Sequence, residues 1–125
     1  MTEYKYKELT YKIIGCALNV HNELGNGFQE VIYQRALAWE LSQVNIGFIR
    51  EQNQDIYYRN CPEPIGTRRA DFIVESVVLL ELKAISKLEA VHWAQILNYL
   101  KAYKYDVGLL INFGGKKLEY KRFVL

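Results

Sequence analysis

The sequence is short of the residues that mark several common chemistries. It holds two cysteines in 125 residues, Cys16 and Cys61, and no Cys/His cluster has zinc-ligand spacing. Two cysteines without a secretory leader point to reduced thiols and a cytoplasmic setting. Residues 1–7 are polar with no apolar stretch behind them, so no signal peptide is expected. No hydrophobic run approaches the length of a membrane span. The glycine-rich phosphate loop and the G-x-S-x-G elbow of a nucleophilic serine are both missing. An excess of one charge is missing too. Sixteen basic and fourteen acidic residues leave a net charge of +2, which alone makes no case for nucleic acid.

What is present suits one domain, residues 1–125, with one sizeable core. Half of the residues are hydrophobic and 24% charged, the balance of an ordinary globule. The ten tyrosines are numerous, and tyrosines most often sit half-buried with a wet hydroxyl. Leu9, Ile13, Ala17, Val20, His21 and Leu24 recur at helical steps and predict a helix over 8–24, closed by Gly25. A second helix is expected over 28–43, its stripe given by Ile32, Ala36, Trp39 or Glu40, and Leu41. Two short extended pieces follow in 48–59, then a loop over 60–66 that carries both prolines. Residues 68–75 and 77–83 read as strands joined by a tight turn at Ser76. Ser86 and Glu89 have capping-box spacing and predict a third helix to about Tyr103. Residues 107–113 form a buried strand, and the chain ends in an edge strand after Gly114-Gly115. The step from strand 77–83 through the helix to strand 107–113 is a β-α-β crossover, expected to be parallel. The fold class is therefore α/β with a central mixed sheet, about four strands preceding the third helix.

The apolar run Val77-Val78-Leu79-Leu80 ends in Glu81-Leu82-Lys83. A three-residue loop over 75–77 would set Asp71 opposite Glu81, with Lys83 one step along the same face. A two-residue turn would break this arrangement. Opposed carboxylates in a partly dry site repel, and a divalent cation such as Mg²⁺ relieves the conflict. Asp, Glu and Lys around such an ion are the parts that phosphodiester hydrolysis needs. Glu-x-Lys alone is a weak signal, because about one such triplet is expected by chance. The chain has three, the others being Glu3-Tyr4-Lys5 and Glu119-Tyr120-Lys121, and only the middle one ends an apolar strand. On the third helix Leu88, His92, Gln95 and Tyr99 line one face, while Val91, Ala94, Leu97 and Leu100 remain to hold it to the sheet.

Asp71, Glu81-Leu82-Lys83 and Gln95-x-x-x-Tyr99 together resemble the PD-(D/E)XK nuclease superfamily. Within it the likeness is nearer to the small GxxExxY family, whose motif stands here as Gly27-Phe28-Gln29-Glu30-Val31-Ile32-Tyr33. The stretches VHNELGNGFQEVIY, RRADFIVE, LLELKAI, AQILNYL and GLLINFG carry the resemblance over nearly the whole chain. It implies a restriction-endonuclease-like core and a Mg²⁺ or Mn²⁺ site on Asp71 and Glu81, with Lys83 as the catalytic lysine. It also implies Glu30 as a further metal carboxylate, and Gln95 and Tyr99 as residues lining the site. Ala70 stands where the superfamily's name has proline. The expected activity is nucleic-acid hydrolysis, with DNA favoured over RNA as partner and specificity drawn from a partner, a homodimer or nucleic-acid shape.

Simpler roles exist for each residue. Asp71 and Glu81 pair with Arg68, Arg69 or Lys83 in a purely structural cluster, or the chain is an inactive module that binds nucleic acid or protein. Glu30 also suits the first turn of a helix on electrostatic grounds. Gln95 and Tyr99 also suit a polar helix face. His21 is expected to be a hydrogen-bonded core histidine, and Tyr33 to serve packing.

Overall fold

The computed structural model describes residues 5–125. Its elements are α1 (Lys7–Leu24), α2 (Glu30–Gln43), β1 (Phe48–Ile56), β2 (Gly66–Val74), β3 (Val78–Lys83), α3 (Ala90–Tyr103), β4 (Val107–Asn112) and β5 (Glu119–Val124). The strands make one sheet in the order β1-β2-β3-β4-β5. β3 and β4 run parallel across the α3 crossover, and the other neighbours are antiparallel. Among the described residues three strands, not about four, precede α3, because residues 48–56 extend as a single strand against β2. The Glu3-Tyr4 half of the first Glu-x-Lys triplet lies outside the described residues.

β3 and β4 are buried along almost their whole length, as central parallel strands covered on both faces must be. One set of their side chains, Leu80, Leu82, Leu109 and Ile111 among them, packs with Phe72 of β2 against Ile13, Ala17, Tyr33 and Leu37 of α1 and α2. The alternate set, including Leu79 and Leu110, packs against Ile96 and Leu100 of α3. The sheet is thus flanked by α1 and α2 on one side and by α3 on the other.

The helices depart from expectation in four respects. α2 starts at Glu30 rather than Phe28, because Gln29 is extended and Gly27 has φ 108°. Its inward stripe is Tyr33, Gln34, Leu37 and Leu41, while Trp39 is 66% exposed and Ile32 also faces outward. α3 starts at Ala90, four residues after Ser86: the cap is Glu89, whose N–H donates to Nδ1 of His92 at 2.9 Å. His92 therefore closes the start of the helix instead of joining a polar stripe. The residues that seat α3 are Ile96 and Leu100, and Val91 is exposed.

Segment 84–89 stays off the helix for a reason visible in its bonds. Asn112 is fully buried; its side chain bonds both N–H and C=O of Ile85 at 2.9 Å and donates to Glu119 at 2.8 Å. Glu119 also accepts from the Leu88 N–H at 3.1 Å. Glu119 of the third triplet is therefore a structural residue. Gly114 is required beside this knot, since a Cβ there would stand 2.1 Å from the Ile85 carbonyl oxygen.

Candidate active site

The β2–β3 hairpin sets the site. Glu75 and Ser76 take left-handed φ values of 51° and 60°, and the Val77 N–H donates to Val74 O at 3.0 Å. The loop is therefore residues 75–77, and the register pairs Val74 with Val78, Ile73 with Leu79 and Phe72 with Leu80. One step further the same register brings Asp71 to Glu81, as the three-residue turn requires. There the strands part. Asp71 Oδ2 accepts the Leu82 N–H at 2.8 Å, so a side chain takes the place of a strand partner and the carboxylate lies in the notch between β2 and β3.

Glu81 is only 4% exposed. Burial, then the hydrogen-bonding proximity and charge of Asp71, push its carboxyl up to about 9 despite the opposing pull of Arg68. Burial and Asp71 thus favour the protonated form of Glu81, and Arg68 favours the ionised one. Arg68 Nη2 donates to Glu81 Oε1 in an ion pair, which realises part of the structural alternative read from sequence. Arg69 turns elsewhere, to Asn53 and Glu51. Lys83 is half-buried at the end of β3. Its ammonium makes no ion pair among the described residues, but its charge is felt at Glu30.

Glu30 enters from the first turn of α2. Burial and then the charge of Asp71 raise its pKa. Gln34, one turn on, donates to Glu30 Oε1 at 3.4 Å and to Asp71 Oδ1 at 3.3 Å, while its own oxygen accepts from Arg50 at 3.3 Å. The rest of the Gly27-to-Tyr33 motif is structural. The fully buried Tyr33 donates its hydroxyl to Gly25 O at 2.6 Å and accepts the Phe28 N–H at 3.2 Å, and its ring stacks on Phe113 with centroids 4.7 Å apart. The motif thus fixes the corner from which Glu30 points. His21 is a satisfied core histidine, its Nε2 3.0 Å from Gly115 O.

From α3, Tyr99 reaches the site through Arg68, whose guanidinium carbon lies 3.4 Å from the centre of its ring. Gln95, half-buried one turn earlier, shares that helical face. Near the carboxylates lie two residues that the sequence does not mark, Gln34 and Tyr103, and one that it offers only as a charge partner, Arg68. The Tyr103 hydroxyl is buried without a hydrogen-bond partner among the described residues, and burial raises its pKa. Gln34 falls off the stripe expected for α2, so the sequence carries no signal for it.

Among the described residues, no three His, Cys, Asp or Glu side chains converge closely enough to hold a metal ion. Asp71 and Glu81 do meet. Two hard oxygen donors fit Mg²⁺, which is usually held by one or two carboxylates and keeps several waters. A hollow of about 610 Å³ beside the start of α1, lined by Tyr6, Lys12 and Ile46 among others, contains none of these residues. No helix among the described residues is long and apolar enough to cross a membrane.

Comparison with known proteins gives the class to which this α/β sheet belongs. Residues 7–123 match the family model of the PD-(D/E)XK nuclease superfamily, and the chain belongs to that superfamily. Among solved structures, the crystal structure of SSO0001 is similar, with a TM-score of 0.57 at 18% identity, over 75% of this chain and 48% of that one. The likeness concerns the fold, and this chain matches about half of that longer one. No curated protein matches the sequence.

Proposed function

We propose that the chain is a Mg²⁺- or Mn²⁺-dependent nuclease of the GxxExxY type that hydrolyses phosphodiester bonds of nucleic acid. The observation that carries this reading is the contact of two carboxylates, Asp71 and buried Glu81, across the strand notch with Glu81 raised to about 9. Such a pair is costly without a cation, and strongly shifted acids cluster at functional sites. Asp71 and Glu81 would hold the ion, which supplies Lewis-acid neutralisation of the phosphate when bound. Glu30, tied to Asp71 through Gln34, adds a carboxylate at the rim. Lys83, without an ion-pair partner among the described residues, orients the attacking water or holds a phosphate oxygen. Water would attack phosphorus and give up a proton to solvent, the bond to the leaving sugar oxygen would break, and that oxygen would take a proton back from solvent. Gln95 and Tyr99 present the α3 face to the substrate.

The test incubates the purified chain with single- and double-stranded DNA and RNA in Mn²⁺, with DNA as the first candidate polymer. Cleavage is expected, and Asp71→Asn or Lys83→Ala should lower it at least about a hundred-fold. Cleavage unchanged by both substitutions would reject the assignment. One observation favours a second reading, a non-hydrolytic module using the same groove: Arg68 already compensates Glu81. Absence of divalent-cation binding would select that reading.

A further inference from the structure

Arg68 is placed as though it had two tasks. Its guanidinium pairs with Glu81, with the two side chains 24% and 5% exposed. The same group lies flat against Tyr99, 3.4 Å from guanidinium carbon to ring centre, and Tyr99 is backed by Tyr103 in a stack of 6.1 Å. Its Nε is buried and has no hydrogen-bond partner among the described residues. A buried N–H left unpaired costs free energy, so a donor kept in that condition suggests an acceptor that arrives later.

We propose that Arg68 is a cation placeholder that becomes a phosphate clamp. Without metal, its guanidinium occupies Oε1 of Glu81. Asp71 and Glu81 would hold a divalent cation through the same oxygen, and the guanidinium would then leave it, because two cations at one carboxylate repel. Tyr99 keeps the planar group in place by cation–π contact. The released Nη and the orphaned Nε then present two parallel N–H donors, the fork that matches a phosphate bidentately. The exchange makes cation binding weaker and substrate binding stronger than a neutral residue would allow, and it couples the two. It rests on the metal-site reading above.

Mn²⁺ binding is measured by titration calorimetry on the wild type and on Arg68→Gln. The variant should bind Mn²⁺ about ten-fold more tightly, as expected when a competing charge is removed. In Ca²⁺ it should hold a fluorescein-labelled oligonucleotide about ten-fold more weakly. In the wild type, the Arg68 Nε–H resonance, assigned through its Overhauser contacts to Tyr99, should move on saturation with Mg²⁺. It should move again on addition of the oligonucleotide.

Equal Mn²⁺ affinity of wild type and variant would overturn the placeholder role while leaving the metal site intact. A resonance that stays still at saturating Mg²⁺ would do the same, and it decides the matter if the variant does not fold. Mn²⁺ binding by the variant alone would support the exchange in its strongest form. Failure of both proteins to bind Mn²⁺ would instead remove the metal reading, and this exchange with it.

Discussion

Asp71 Oδ2 accepts the backbone N–H of Leu82 at 2.8 Å, so one side chain carries the charge of the site and closes the sheet where β2 and β3 separate. These two tasks are separable by mutation. Asp71→Ala strands the N–H of Leu82, a residue only 1% exposed, and should lower stability in urea unfolding by about 1–3 kcal/mol. Asp71→Asn retains an acceptor oxygen and should lose less than about 1 kcal/mol. Equal losses in the two variants would mean that the Leu82 bond is not what Asp71 contributes to folding.

The carboxylate pair also predicts how stability depends on pH. Glu81 is raised from 4.5 to about 9, and Glu30 is raised as well. Between those values the folded protein holds protons that the unfolded chain has released. Stability therefore falls as pH rises through that window. Urea unfolding in chelator should show the wild type losing stability from pH 5 to pH 9 relative to Glu81→Gln. Parallel pH curves for the two proteins would contradict the shift. Saturating Mg²⁺ should abolish the difference, because the cation replaces the proton.

Tyr33 supports the site from a distance. Its hydroxyl bonds Gly25 O and the Phe28 N–H, tying down the corner that aims Glu30. Tyr33→Phe keeps the stack on Phe113 and removes both bonds, so it should cost about 1–2 kcal/mol. Thermal unfolding measures this directly, and a melting temperature within about 1 °C of wild type would show the corner to be held otherwise.

Much of the site was legible because it is local. Alternation along two apolar strands left two registers open, and the hairpin adopts the one with a three-residue turn at Ser76, which brings Asp71 to Glu81. The crossover to β4 was legible for the same reason, since two apolar runs flank one helix-length segment. The start of α3 was not. Ser86-x-x-Glu89 is the better capping pattern by residue type, yet Asn112 and Glu119 hold the backbone of Ile85 and Leu88 and leave the cap to Glu89. The parts played by Gln34 and Arg68 depend on partners from other elements, Asp71 and Arg50 for one, Glu81 and Tyr99 for the other. Nothing in local spacing separates Arg68 from its neighbour Arg69, whose partners are Asn53 and Glu51.

The central claim is that Asp71 and Glu81 form a cation site, and titration calorimetry with Mn²⁺ tests it most directly. One site per chain is expected in the wild type, weakened at least about thirty-fold in Glu81→Gln, a loss comparable to removing a direct ligand's charge. No binding by the wild type, or binding that Glu81→Gln leaves unchanged, would contradict it.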